Sequence, residues 1–148
     1  MPTSSRFAVA VHVLTLMAWA DEPVKSEYVA SSVNTNPVVI RRVLCALAKA
    51  RLVTSQTGAG GGSKLARSPK EITLLDVYRA VEEGKLFSLH PKPPSRECPV
   101  GVNILSVLED VFEEVEEAVE QVLAKITMTQ ILHSVQPRAD HIKSRVKK

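Results

Sequence analysis

The feature that most restricts the fold of this 148-residue chain is a run of regularly spaced apolar residues in its C-terminal third. The run alternates separations of three and four positions and comprises Leu105, Leu108, Phe112, Val115, Val119, Val122 and Ile126. Such spacing places these side chains along one side of a helix, at the a and d positions of a heptad repeat. It predicts a helix of about 27 residues, which spans about 40 Å.

A helix of this length is longer than a small domain needs in order to cover its own core. We therefore predict that the helix pairs with a second copy of the chain to form a homodimer. The predicted dimerisation residues are Leu105, Leu108, Phe112, Val115, Val119 and Val122. The sequence leaves open the alternative that the helix packs only against its own domain.

The residues before this helix predict shorter elements. Apolar spacing indicates a first helix ending near Ala20, a second starting after Ser26, and a third from Pro37 to about Ala50. Two strand segments at 52–55 and 64–66 flank a glycine-rich loop, and a further helix is predicted over 72–82. Two helices joined by a short turn and followed by a hairpin make the predicted fold mainly α, with a winged helix-turn-helix domain.

The charge distribution indicates what this domain binds. No acidic residue lies between Tyr28 and Lys70. The basic residues of that stretch are Arg41, Arg42, Lys49, Arg51, Lys64, Arg67 and Lys70. A surface of one sign attracts polyanions, of which nucleic acid is the commonest, although a merely solvated face is the plainer alternative. The third helix should bury Ile40, Val43, Leu44 and Leu47 and expose its basic side.

The glycine-rich segment TGAGGGSKLARS does not match a phosphate-binding loop. A P-loop that starts at Gly58 needs its second glycine where Ser63 stands, and the dinucleotide motif G-x-G-x-x-G fails at the same serine. Both motifs also require a helix after the loop, whereas a strand segment follows here. We interpret the loop as the tip of a wing, a flexible basic hairpin that approaches DNA.

Residues 29–83, VASSVNTNPVVIRRVLCALAKARLVTSQTGAGGGSKLARSPKEITLLDVYRAVEE, resemble the winged helix-turn-helix of bacterial Rrf2-family regulators such as IscR, NsrR and CymR. The most specific pieces are N-P-x-V-x-R-R, L-V-x-S, the glycine-rich wing with L-A-R, and I-T-L-L-D-V-Y-R-A-V. The resemblance extends from the first helix to the long helix and is closest to the cluster-free, YwnA-type branch. It implies a dimeric repressor in which each winged unit binds half of a DNA operator.

The resemblance also implies the DNA-binding residues. We predict contacts from Ser26, Thr35, Asn36, Val38, Arg41, Arg42, Gly60, Gly61, Ser63 and Lys64. The arginines would contact phosphate or guanine, and Lys64 would anchor the wing. Many family members bind an iron-sulfur cluster through three cysteines before the long helix, but this chain has only Cys98 there. We therefore predict no cofactor and no metal site. In the family's usual wing an aromatic residue stands where this chain has Ser63.

Regulation is predicted around Cys98, which precedes Pro99 at the expected start of the long helix. Unpaired amides and the helix dipole should lower the pKa of the thiol, so Cys98 is a candidate redox sensor. A packing role is the alternative. His90 is a second candidate regulatory residue, and an unknown small effector is a further expected partner.

Domain boundaries follow from these elements. We predict a winged helix-turn-helix domain at 1–83, a proline-rich connecting loop at 84–98, the long helix with a short terminal helix at 99–132, and a basic disordered tail at 133–148. The N-terminal apolar run resembles a secretory signal, but His12 interrupts it. The two cysteines of the chain, Cys45 and Cys98, are far apart in the sequence and suggest neither a disulfide framework nor a metal pair. We expect a cytoplasmic protein with no membrane partner.

The alternative function is a winged-helix module that binds another protein rather than a specific DNA. Such a module would not require the acid-free stretch between Tyr28 and Lys70. An enzyme is not expected, because no carboxylate pair, Ser/His/Asp set or metal cluster occurs at a recognisable spacing.

Overall fold

The computed structural model describes residues 4–20 and 22–146, with side chains described as far as residue 138. The helices of this part of the chain are α1 (Arg6–Trp19), α2 (Ser26–Val33), α3 (Pro37–Lys49), α4 (Leu74–Val81), α5 (Ile104–Ala124) and α6 (Met128–Val146). An antiparallel hairpin joins β1 (Val53–Gln56) to β2 (Gly62–Leu65), and a short 3₁₀ helix covers Pro69–Glu71. The predicted fold class, mainly α with a small hairpin, is confirmed.

The chain divides into two compact units. The first combines Met1–Glu82 with Ala124–Lys148, and the second is Glu83–Leu123. In the first unit α1 to α4, the hairpin and α6 surround one core. Its largest fully buried side chains are Leu14, Ile40, Leu47, Leu52, Ile72, Met128, Val13, Val29 and Val77. Aliphatic residues therefore fill this core, as expected for a chain with few aromatic residues.

Helix α3 begins as the sequence predicts. The side chain of Asn36 accepts a hydrogen bond from the backbone N–H of Val38 at 2.8 Å, and Pro37 occupies the first turn, where its missing N–H is not needed. Ile40, Val43, Leu44 and Leu47 are buried. The predicted division of α3 into a buried side and an exposed side is confirmed.

The C-terminal part differs from the predicted boundaries. The long helix ends at Ala124 rather than continuing through Ile126, and α6 then extends to Val146 across most of the predicted disordered tail. Thr127 and Gln130 cap α6 reciprocally, because Gln130 Oε1 accepts from the N–H of Thr127 at 2.7 Å and Thr127 Oγ1 accepts from the N–H of Gln130 at 3.3 Å.

Backbone pairing and burial hold this junction in the first unit. The N–H of Leu74 donates to the carbonyl of Ile126 at 2.8 Å, and the N–H of Met128 donates to the carbonyl of Ile72 at 2.9 Å. Since Met128 is fully buried, α6 is part of the winged unit, where it packs on α1, rather than an appendage of the long helix.

Candidate nucleic-acid interface

The turn between α2 and α3 sets the position of α3. Asn34 ends α2 in the left-handed conformation with φ 60°, and the N–H of Thr35 donates to the carbonyl of Ala30 at 3.0 Å. Asparagine tolerates this conformation better than most residues. The side-chain oxygen Oδ1 of Asn36 already caps α3. The side-chain NH₂ group of Asn36 therefore remains to contact a base edge.

The exposed side of α3 is basic. Val38, Arg41, Arg42, Cys45 and Lys49 are all exposed, with Val38 46% exposed despite its apolar side chain. An apolar side chain on a recognition helix can contact the methyl group of thymine. The predicted reading surface is therefore accessible along the whole length of α3.

The two adjacent arginines lie on different flanks of α3. Arg41 lines a groove of about 380 Å³ between α3 and the hairpin, together with Ser26, Cys45, Ser55 and Gln56. Ser26 thus lies beside α3 in the fold, and its contact with DNA stays a prediction.

On the other flank, Arg42 lines a groove of about 370 Å³ with Arg6, Val39 and Val81. Residues that are adjacent on a helix are about 100° apart, which explains the divergence. Sequence reasoning missed Arg6, Ser55 and Gln56, because their distance from α3 along the chain hides their proximity in the fold.

The wing is a hairpin supported by a third segment. Val24, between α1 and α2, exchanges two backbone hydrogen bonds with Ser63 of β2, each 2.8 Å long. The hydroxyl groups of Ser63 and Ser55 lie 3.1 Å apart across the hairpin. Ser63 is only 5% exposed, so we assign it to wing structure rather than to DNA contact, which corrects the sequence-based assignment.

The glycines of the wing differ in their surroundings. Gly60 is exposed with φ 79°, whereas Gly61 is buried and a side chain there would collide with the carbonyl of Gln56. Gly61 is thus a second predicted contact that the structure assigns to the turn instead. Gly60 and Lys64 are exposed and remain candidates for contact with the DNA backbone.

Helix α5 exposes more apolar surface than the predicted dimerisation residues account for. No residue of α5 is buried. The predicted Leu105, Leu108, Phe112 and Val119 are partly covered, and the ring of Phe112 packs on Phe87 with 5.0 Å between centroids. The more exposed valines are Val107 (53%), Val111 (46%), Val115 (37%) and Val122 (58%).

Val107 and Val111 are apolar interface candidates that the sequence analysis missed. With Val115 and Val122, which belong to the predicted row, they follow spacings of four, four and seven residues, so the four valines lie on one side of α5 at the edge of that row. The heptad pattern identified only one row of residues on a broader apolar face of α5. The packing of Phe87 on Phe112 shows which part of that face is already covered.

Cys98 lies in a turn before α5, which begins at Ile104 rather than at Pro99. The thiol is exposed, and hydrogen bonds from the backbone N–H groups of Gly101 and Val100 lower its pKa below the usual value. The pKa shift has the predicted direction, and its cause is the amides of this turn rather than a helix dipole, because α5 begins only at Ile104. His90 is exposed in the same proline-rich segment.

The described residues include no helix long and apolar enough to cross a membrane. A helix-turn-helix with a basic, exposed second helix and an adjacent wing defines a DNA-binding protein of the winged helix class.

The chain belongs to the Rrf2 family. The family's sequence profile, described as an iron-dependent transcriptional regulator, matches residues 3–134. The chain is 44% identical over 131 residues to YwnA of Bacillus subtilis, a relative provisionally described as an HTH-type transcriptional regulator, and the match covers 88% of this chain and 96% of YwnA.

Solved structures agree with this assignment. A crystal structure provisionally described as a DNA-binding protein is 43% identical, with a TM-score of 0.71 and coverage of 86% of this chain and 99% of the other. The IscR of T. potens is 26% identical, with a TM-score of 0.69 and coverage of 91% and 88%. The protein is a DNA-binding transcriptional regulator.

The family description implies iron, which needs a set of donor side chains close together. The described residues contain no group of three or more His, Cys, Asp or Glu side chains that could hold a metal ion. Cys98 is the sole cysteine of the segment before α5, and Cys45 lies on the exposed side of α3. These residues do not fit a cluster held by three cysteine thiolates.

Proposed function

We propose that this regulator acts in the cytoplasm as a homodimer that represses transcription by binding a near-palindromic operator in double-stranded DNA. The observation that carries the proposal is the basic, exposed side of α3 beside the wing, with Arg41 and Gln56 lining one groove. This arrangement suits a helix in the major groove and a hairpin along the adjacent backbone.

Each predicted contact has a distinct role in the proposal. Arg41, Arg42 and Arg6 bind phosphate or guanine, while Val38 and the amide of Asn36 contact base edges. Thr35, in the turn before α3, and Ser26, the first residue of α2, contact the sugar-phosphate backbone through their hydroxyl groups. Gly60 and Lys64 bring the wing tip to the DNA backbone.

Dimerisation is proposed through α5. Its exposed valines and the exposed Leu86, Phe87, Val100 and Val102 of the preceding segment supply apolar surface of the kind that protein interfaces cover. Two copies related by a twofold axis would place two winged units on two half-sites separated by whole helical turns of DNA.

Selection of genomic fragments tests the proposal directly. Purified protein is incubated with sheared DNA from the source genome, and bound fragments are sequenced. We expect enrichment of a short, near-palindromic motif upstream of genes whose transcripts increase when the protein is absent. Binding without sequence enrichment would favour the alternative, a winged-helix module that interacts with another protein.

Cys98 is proposed as a redox-responsive residue of this regulator. Its exposure and its lowered pKa favour the thiolate, the form that reacts with oxidants. The test is whether a mild oxidant changes operator binding by the parent chain but not by the Cys98→Ser variant.

A further inference from the structure

A groove of about 500 Å³ that is open to solvent, called the cavity below, lies on the surface of the winged unit, away from the DNA-binding side of α3. Its walls come from α1, α2 and α6, and it is lined by Ala8, Val11, His12, Thr15, Leu16, Trp19, Tyr28, Ser32, Ile131 and Val135. This volume falls within the range of small-molecule sites in proteins. Neither the dimer face nor the DNA contacts proposed above use any of these residues.

Three helices build the cavity from side chains spaced by one helical turn. Helix α2 contributes Tyr28 and Ser32, and α6 contributes Ile131 and Val135, each pair four residues apart. Helix α1 supplies a longer row that ends at Trp19, which is 37% exposed at the rim. Aliphatic side chains and aromatic rings therefore dominate a concave surface that opens to solvent.

Few polar groups line the described part of the cavity. His12 Nε2 and Ser32 Oγ lie 3.0 Å apart and form a hydrogen bond between α1 and α2. The hydroxyl of Thr15 donates to the carbonyl of Val11 at 2.7 Å and so is already used. Among the described residues that line the cavity there is no Asp, Glu, Lys or Arg, so a charged ligand would lose water there without gaining an ion pair with any of them.

We propose that this cavity binds a small, uncharged aromatic molecule with one hydroxyl group, and that its occupancy changes operator binding. The ring would pack among Trp19, Tyr28 and the aliphatic walls, and the hydroxyl would hydrogen-bond to the His12 and Ser32 pair. The effect on operator binding, called the regulatory half of the proposal, rests on the proposed function. The binding of the ligand in the cavity does not.

The route from cavity to DNA is short. The exposed side of α2 lines the cavity, while Val29 and Ala30 on its other side are buried in the core. Helix α2 ends at the Asn34 turn, and α3 begins three residues later at Pro37. A ligand that displaces α2 from α1 therefore acts on the element that positions α3.

The chain contains a single tryptophan, Trp19, so its fluorescence reports on the cavity. Three probes that share a methyl-substituted benzene ring are titrated into the full-length protein without DNA: para-cresol, toluene and para-toluate. Free N-acetyltryptophanamide is titrated in parallel to correct for light absorbed by the probe. We expect saturable binding of para-cresol, about tenfold weaker binding of toluene, which lacks the hydroxyl, and no binding of para-toluate.

Variants then locate the binding. Ser32→Phe fills the cavity and should abolish para-cresol binding, while Ser31→Phe, an equal change at an exposed neighbour outside the cavity, should preserve it. His12→Leu should remove the preference for para-cresol over toluene. Circular dichroism confirms that each variant folds. Undiminished binding by Ser32→Phe, equal binding of para-toluate, or no saturable signal from any probe would overturn the assignment.

Two further outcomes separate the competing explanations. If para-cresol binds only after a dimer-breaking substitution in α5, a second copy of the chain covers the cavity and the ligand proposal fails. If para-cresol binds but the affinity for an enriched genomic fragment does not change, the regulatory half fails. If para-cresol binds and no genomic fragment is enriched, the cavity assignment stands and the proposed function fails.

Discussion

Val24 and Ser63 exchange two backbone hydrogen bonds of 2.8 Å each, so the segment between α1 and α2 forms a third, short edge of the wing. Gly62 adjoins this bridge with φ 152°, and a side chain there would lie 2.7 Å from the carbonyl oxygen of Val24. The wing and the start of the helix-turn-helix are therefore joined by close backbone contact.

The first prediction follows from this contact. Gly62→Ala should lower the free energy of unfolding by about 2 kcal/mol or more, since both the backbone conformation and the collision with Val24 oppose a side chain. Gly60→Ala is the matched control, because φ is 79° there but no atom lies within 4 Å of the added carbon, and it should cost about 1 kcal/mol. Urea unfolding measures the free energy of unfolding of both variants. Equal losses in the two would show that the contact with Val24 adds nothing to the cost of a side chain at Gly62.

The second prediction concerns Arg41 and Arg42. Replacing either arginine by Ala should weaken operator binding and reduce the slope of log K against log salt by about 1, because one phosphate contact fewer releases fewer counterions. The double variant Lys85→Ala, Lys92→Ala removes as much charge as Arg41→Ala, Arg42→Ala but lies outside the winged unit, and it should leave the slope nearly unchanged. Binding measured at several salt concentrations checks this, and identical slopes for both double variants would remove the arginines from the interface.

The third prediction tests the valines of α5. Val107→Glu and Val111→Glu should convert the dimer into a monomer, because each places a charge in the proposed apolar interface. Ser106→Glu is the control, since it adds the same charge next to Val107 on the polar side of α5 and should not change the oligomeric state. Sedimentation of each variant at micromolar concentration distinguishes these outcomes. A monomeric parent chain would refute dimerisation itself.

The fourth prediction concerns the pH dependence of Cys98. The hydrogen bonds from Gly101 and Val100 lower the pKa of the thiol, so the reactive thiolate forms at a lower pH in the folded protein than in the unfolded chain. In a Cys45→Ser background, the rate of alkylation by iodoacetamide should therefore reach half of its maximum at a lower pH when folded than in urea. Mass spectrometry measures the modified fraction, and coincident profiles would show that the turn does not activate the thiol.

Local sequence signals predicted most of the winged unit. Pro37 marks the start of α3, and the apolar spacing of α3 predicts its buried side. These features depend on residues within one or two helical turns of each other, which a sequence displays directly. The Rrf2 resemblance supplied the arrangement of these elements, and the family match confirms it.

The wing shows where such reasoning fails. Gly61 and Ser63 are predicted as DNA contacts from their place in the hairpin, yet Val24, Ser55 and the turn itself cover them. Val24 is distant from Ser63 in the sequence, so no local pattern shows that it covers this residue. Gly60 and Gly61 are adjacent glycines, and only the conformation of the turn makes the first exposed and the second buried. The same limit hid Arg6, which reaches the flank of α3 through the packing of α1.

The sequence by itself determined the basic, exposed α3, the glycine turn of the wing and the long amphipathic α5, because each depends on local spacing, capping and side-chain type. Only the tertiary structure decided that α6 packs on α1, that Phe87 covers Phe112 and leaves the valines of α5 exposed, and that His12 meets Ser32 in a cavity. Those relationships join residues far apart along the chain, and burial of apolar surface selects them only when all the helices are assembled.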